Sequence, residues 1–387
     1  MRILLVTPAS PFTPRSGAEQ RTALLRDALA EKGEVDVLLL EPGDETRVAS
    51  SPDPRILARA CWRNLPLGIA KYRPDETLTR QVNEIAPLVN YDLIVGRYLN
   101  PICKLRLPRG VKTLVDLDDW GYRYGGDAWW TPKGAVARAK SAYAKALARA
   151  QLRRFDAFFF TSQRDRVKEP GVEGMVLSNV PFSPPAAPLP PTDSKNILFV
   201  GALWYGPNRH GIAWFLKHCW PRIRAHVPEA TLTLVGAAPE KLRADWERLP
   251  GVKAPGFVED LSAAYRNAAF TIAPIHYGGG TNIKILESLA YGRACVATPH
   301  ASEAFAQDLV KTGALLVAPD DVAFSDACIQ GLRTAGVGRE ALQDAHEMTA
   351  RLYSPEAFRA TVHRLTGRLL GGSSFSFSNA TVQESRP

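Results

Sequence analysis

Cysteine and methionine are scarce in this 387-residue chain, at five and three residues. Cys61, Cys103, Cys219, Cys295 and Cys328 stand far apart with no CxxC pair, so neither a disulfide framework nor a zinc site is signalled. A reducing, cytoplasmic setting fits that usage. No run of about 18 apolar residues occurs, so no membrane-crossing helix is expected. The apolar opening Ile3 to Val6 is shorter than the core of a signal peptide, and none is expected. Acidic residues are missing between Thr131 and Arg154, where seven basic side chains stand. Disorder is excluded for most of the chain by 45% hydrophobic residues, 22% charged residues and eight tryptophans.

The net charge is +9, and it is unevenly spread. Residues 1–192 carry 28 basic and 21 acidic side chains, whereas residues 193–387 carry 20 and 18. Such a surplus suits nucleic acid, an anionic membrane or a phosphorylated substrate. No DNA- or RNA-binding motif is present, so nucleic acid is not an expected partner.

The length predicts two domains. Strand Ile3 to Thr7, a Pro/Ser/Gly loop, a helix from Ala18 to Lys32 and strand Val35 to Leu40 form one strand-loop-helix-strand unit. Further strands are predicted at Leu93 to Gly96, Thr113 to Asp116 and Ala157 to Thr161. Six prolines between Pro181 and Pro191 admit neither helix nor central strand, and they mark the domain boundary. Afterwards the rhythm restarts with strand Asn196 to Gly201, a helix from Gly211 to Ala225 and strand Thr231 to Gly236. A strand at Phe270 to Ala273, a glycine loop at Gly278 to Gly280, a helix to Ala290 and a strand at Ala294 to Ala297 follow. The fold class is therefore α/β, with two Rossmann-like doubly wound domains whose ligands sit at the carboxyl ends of parallel strands. The expected division is 1–180, a linker at 181–195, and 196–352. A helix at 353–370 and a Ser-rich, disordered tail at 371–387 complete it.

The glycine loop carries the chemistry. In Gly278-Gly279-Gly280-Thr281-Asn282-Ile283-Lys284-Ile285-Leu286-Glu287 the glycines allow close backbone approach to a ligand, and Thr281 can cap the next helix. The helix start and the Lys284 ammonium favour a diphosphate. Glu287 lies on an apolar stripe, where paired ribose hydroxyls would satisfy it. A plain glycine turn with a partly solvated glutamate is the other reading.

This segment resembles the donor-site signature of the glycosyltransferase family 4 superfamily, retaining GT-B enzymes that use nucleotide sugars. The likeness extends to Ser16-Gly17-Ala18-Glu19, Phe199 to Trp204, Pro207-Asn208, Leu232 to Gly236 and Gly256-Phe257-Val258-Glu259-Asp260-Leu261. It implies a GT-B arrangement around a central cleft, with the last helix returning to the first domain. It also implies donor contacts from Gly17, Gly201, Asn208, Gly236, Val258, Gly279, Gly280, Thr281, Asn282, Lys284 and Glu287. Glu287 matches the second glutamate of an E-x7-E motif, while Gly279 stands where the first would be. The chain thus looks like the branch written G-G-G-T-x-x-K-x-x-E, and the donor sugar stays open. Family members commonly carry Arg and Lys after the equivalent of Gly201; here that load falls on Lys284, the helix start and Arg209.

Asp116, Asp118 and Asp119 cluster at the end of a predicted strand, and three close carboxylates need a shared cation or proton. A metal-binding D-x-D, a helix-capping cluster and a catalytic pair are all open on the residues alone. The resemblance favours the last, with Asp118-Asp119 where many relatives place His-Asp against the donor sugar. It implies no metal and no other cofactor. Arg97, past a strand end, and Trp120 are the acceptor-side candidates. The basic, alanine-rich stretch 131–154, beside Trp120, Trp129 and Trp130, reads either as an interfacial helix on anionic lipid or as a solvated helix. The expected function is transfer of a sugar from a nucleotide diphosphate sugar to a glycan or polyprenyl-diphosphate-linked acceptor, with retention, in cell-envelope polysaccharide synthesis. The expected location is the cytoplasm, extending to the inner face of the plasma membrane. A GT-B nucleotide-sugar epimerase and a noncatalytic sugar-nucleotide or polyanion binder are the alternatives.

Overall fold

The computed structural model describes residues 1–371 apart from residues 15, 64–68, 119, 121–131, 183, 306 and 335–336. Asp119, Trp129, Trp130 and the tail from residue 372 therefore lie outside the described residues. Two parallel sheets organise the chain. The first contains β1 (Arg2–Thr7), β2 (Glu34–Gly43), β3 (Arg47–Ala49), β4 (Ala58–Arg63), β5 (Leu93–Arg97), β6 (Lys112–Leu117), β7 (Ala157–Phe160) and β8 (Gly174–Val176), in the order β3-β4-β2-β1-β5-β6-β7-β8. Only the edge pair β3–β4 is antiparallel. The second contains β9 (Asn196–Val200), β10 (Thr231–Val235), β11 (Val252–Gly256), β12 (Phe270–Ala273), β13 (Cys295–Ala297) and β14 (Leu315–Val317), in the order β11-β10-β9-β12-β13-β14. The central strands read as continuous apolar runs because helices cover both faces: Ile3 to Val6 and Ala157 to Phe160 are all buried.

Strand order reverses between β1 and β5 in one sheet and between β9 and β12 in the other. Such reversals splay the loops at the carboxyl ends and open a crevice there. Gly17 follows β1 and Tyr98 follows β5; Gly201 follows β9 and the glycine loop follows β12. These loops line one cavity, so the two switch points face each other.

The helix Gly17–Ala30 begins at Ser16, whose Oγ accepts from the Glu19 N–H at 3.3 Å. Its buried Leu25, Ala28 and Leu29 pack under Ile3 and Leu5, and the helix Pro355–Leu370 completes that layer with Phe358, Val362 and Leu365. Burying each of these large side chains contributes roughly 1.5–3 kcal/mol. The tie is reinforced where His363 Nε2 lies 2.8 Å from the Ala28 carbonyl and Arg359 pairs with Glu31 at 3.1 Å.

One predicted helix is redrawn. The segment read as Gly211 to Ala225 starts earlier, as Gly206–Trp214, passes through a π-helical stretch at Phe215–Cys219 and resumes as Trp220–His226. Pro221 lacks the amide hydrogen that continuous helix geometry requires, and the widened turn precedes it.

Candidate functional site

The cavity between the domains has a volume of about 540 Å³. Its second-domain wall is built on glycine. A Cβ at Gly236 would lie 1.9 Å from the Gly201 carbonyl oxygen, and one at Gly201 would lie 2.9 Å from Asn208 Nδ2. The β9 and β10 turns can therefore approach only as glycines. Asn208 donates to the Ala202 carbonyl at 2.8 Å and braces the same turn. Val258, Gly279 and Gly280 line the cavity beside them.

The helix Ile283–Ala290 points its start at this space. The expected Thr281 cap is corrected: the cap position is Asn282, and no side chain caps the helix. Thr281 instead donates to the Thr161 carbonyl at 3.3 Å and accepts from Asn179 Nδ2 at 3.5 Å, while Asn282 Nδ2 donates to the Ala301 carbonyl at 3.1 Å. These side chains bind across to other elements and leave the helix-start amides aimed at the cavity.

Lys284 is the only lysine or arginine among the described lining residues. It is 9% exposed and lies over the Phe199 ring at 5.5 Å. Burial pushes its pKa down to about 8, although Glu287 pulls the other way. Glu287, 4% exposed, is pushed up to about 7 by burial. It accepts long hydrogen bonds from the Phe182 N–H and the Tyr265 hydroxyl, both at 3.4 Å. Tyr265 is itself buried and stacked on Tyr291 at 4.2 Å. A cation and an anion thus share one helix turn, both poorly solvated; a diphosphate and vicinal hydroxyls are the complementary partners.

The opposite wall comes from the first domain. Gly17 lines it, and a Cβ there would meet no protein atom within 4 Å. Asp118 lines it too, accepting from Arg97 Nη2 at 3.2 Å and from the Tyr98 hydroxyl at 3.3 Å, with Arg21 Nε at 3.9 Å. Asp116, two residues earlier on β6, is fully buried and held by Arg21 at 2.7 and 2.8 Å and by Arg97 at 2.6 Å. Burial opposes its ionisation, but the two guanidinium groups outweigh it and hold the carboxyl below its ordinary range. With both Asp116 oxygens engaged, a D-x-D metal grip has no free partner for Asp118 there.

Two acceptor-side expectations are corrected. Arg97 is fully buried beneath Asp118 and does not line the cavity, because β5 pairs with β6 in a register that sets Arg97 beside Asp116. Trp120 turns away, donating its indole N–H to Glu169 at 3.0 Å and packing on the first-domain core. Tyr98 is a site residue that the sequence reading missed. It is the only described non-glycine residue with positive φ, at φ 62 and ψ 148, a combination otherwise largely reserved for glycine and costing about 1–3 kcal/mol. Asn179, Trp204, Phe257, Tyr277 and His300 also line the cavity unannounced.

Residues 194–334 match the family model described as Glycosyl transferases group 1. A sucrose-phosphate synthase from Thermosynechococcus elongatus is similar at TM-score 0.64 and 18% identity, covering 96% of this chain and 100% of that one. Anabaena Alr3699/HepE, solved with UDP and glucose, is similar at TM-score 0.59 and 14% identity, covering 95% and 100%. The chain has the two-domain GT-B fold of these structures. This GT-B chain is also 25% identical over 138 residues to an uncharacterized 44.6 kDa protein in the cps region of Klebsiella pneumoniae, 34% of this chain and 35% of that protein. The match therefore spans about a third of that relative's length. Among the described residues, no helix is long and apolar enough to cross a membrane.

Proposed function

We propose that this protein transfers a sugar, with retention, from a nucleotide diphosphate sugar to a glycan or lipid-linked acceptor in polysaccharide synthesis. The observation that carries this reading is the convergence of an uncapped helix start, Lys284 and Glu287 on one wall of a cavity whose other wall presents Asp118. The diphosphate lies at the helix start with Lys284, the ribose hydroxyls reach Glu287, and the sugar extends towards Asp118. The HepE complex with UDP and glucose supports the ligand class, and the cps-region relative supports the polysaccharide setting.

In the proposed reaction the bond from the anomeric carbon to the diphosphate oxygen breaks while the acceptor oxygen bonds to the same face of that carbon. The acceptor proton passes to the departing diphosphate oxygen, whose charge the helix start and Lys284 stabilise. Asp118 orients the acceptor hydroxyl or faces the positive charge developing on the sugar. No divalent ion is assigned to the step. The basic helix Pro132–Leu152 exposes Val136, Lys140 and Tyr143, which suits contact with anionic lipid. Co-sedimentation with anionic and neutral vesicles at low salt tests that contact.

Thermal-shift screening against UDP, GDP and dTDP sugars, followed by product analysis with the stabilising donor, tests the main reading. A donor that raises the melting temperature, and is turned over in EDTA to an α-linked product from an α-linked donor, supports it. Epimerised donor formed without acceptor would support the epimerase instead.

A further inference from the structure

The first-domain wall invests more in Tyr98 than a structural residue needs. Its backbone holds a glycine-like conformation at the carboxyl end of β5. Its ring lies 4.6 Å from the Arg97 guanidinium and faces the cavity. Its hydroxyl meets both Asp118 Oδ2 and Arg97 Nη2 at 3.3 Å. Strain at a cavity wall, directed into a hydrogen-bonded pair, is the pattern of a recognition element.

The pair is also placed against the donor loop. Arg21, which grips Asp116, donates to Asn179 at 2.9 Å, and Asn179 in turn donates to Thr281 of the glycine loop at 3.5 Å. Two hydrogen bonds therefore separate the aspartate network from the loop that would carry the diphosphate. A ring attached to a diphosphate at that loop would enter the cavity that the loop and the Tyr98–Asp118 pair line together. Its hydroxyls can donate to the carboxylate, and its apolar face can lie on the tyrosine ring.

We infer that Tyr98 is a specificity residue that reads the sugar of the nucleotide sugar, by its ring and by fixing Asp118 as a hydroxyl acceptor. This inference rests on the reading of the glycine loop as a diphosphate site. Tyr98→Phe removes the hydroxyl and keeps the ring, while Tyr98→Gly removes the ring and relaxes the backbone.

Isothermal titration of wild type and both variants would use UDP, UDP-glucose, UDP-galactose, UDP-N-acetylglucosamine, GDP and GDP-mannose, with melting temperatures recorded alongside. For the nucleotide sugar that wild type binds best, Tyr98→Phe is expected to weaken affinity about three- to tenfold. The matching free diphosphate should bind both proteins alike. Tyr98→Gly should lose at least as much for the sugar and melt no lower than wild type. Equal losses for sugar and diphosphate, no loss for either, or a Tyr98→Gly protein melting well below wild type would overturn the inference and leave Tyr98 as a buttress of Arg97. Failure of wild type to bind any of these ligands would instead sink the diphosphate reading itself.

Discussion

Replacing Lys284 by methionine should stabilise the free protein while weakening its hold on a nucleoside diphosphate. Methionine keeps most of the apolar stem over Phe199 and removes the ammonium that burial disfavours. A displacement from the ordinary lysine value of 10.5 to about 8 corresponds to an upper bound of roughly 3 kcal/mol on its net cost. That net displacement already includes the attraction to Glu287, which offsets part of the burial penalty. The melting temperature should therefore rise by a few degrees, to at most about 10 °C.

The sign of the pH dependence follows. Between pH 8 and 10.5 the unfolded chain binds more protons at this position than the folded one, so wild-type stability should rise with pH across that window. The methionine variant should lack that rise. Diphosphate binding runs the other way, because it needs the ammonium. From pH 7 to 9 wild-type affinity should fall roughly tenfold, and at pH 7 the variant should bind about 10- to 100-fold more weakly, the loss of one charged hydrogen bond. Calorimetric melting and titration with UDP, GDP and dTDP measure both effects. A variant that melts below wild type, or that binds the diphosphate as tightly, would refute the argument.

Asp116→Asn strips the countercharge from two buried guanidinium groups and should cost about 3–5 kcal/mol in denaturant unfolding, whereas Asp118→Asn should fold nearly normally yet lose turnover. Glu287→Gln should remove a decline in stability that wild type shows as pH rises from 4.5 to about 7, since the folded carboxyl keeps its proton there while the unfolded one loses it; melting curves across that range read it out. Gly236→Ala forces a Cβ onto the Gly201 carbonyl and should lower both melting temperature and nucleotide affinity. Phe358→Ala should destabilise by about 3–5 kcal/mol, read as a lower denaturant midpoint.

The parallel strands and the glycine loop were legible because each is a local pattern: an apolar run, then glycines, then an amphipathic helix. Several peripheral strands were not. The strand Val252–Gly256 contains Pro255, tolerable only because β11 lies at the sheet edge, and the alternating Ala58–Arg63 carries too few β-branched residues to stand out. At the site, the aspartates were visible as a cluster but not as two roles. Asp116 and Asp118 part company only through the β5–β6 register, which delivers Arg97 to Asp116, and through Arg21, 95 residues away. Part of the basic surplus of the first half is therefore internal. Tyr98 carried no local signal at all, since nothing in Gly96-Arg97-Tyr98-Leu99 announces a positive φ.

The helix Pro355–Leu370 has a consequence for how the protein is made. Residues 358–365 cover an apolar face of the first domain that includes Ile3, Leu5, Leu25 and Leu29. They leave the ribosome some 330 residues after Leu29, a delay of roughly 15 to 65 seconds at ordinary synthesis rates. From the completion of β8 at Val176 until residue 358 emerges, some 180 residues, the first domain is fully synthesised yet uncovered on one side. A nascent chain arrested after the second domain should therefore recruit chaperones, and supplying the helix as a separate peptide should release them.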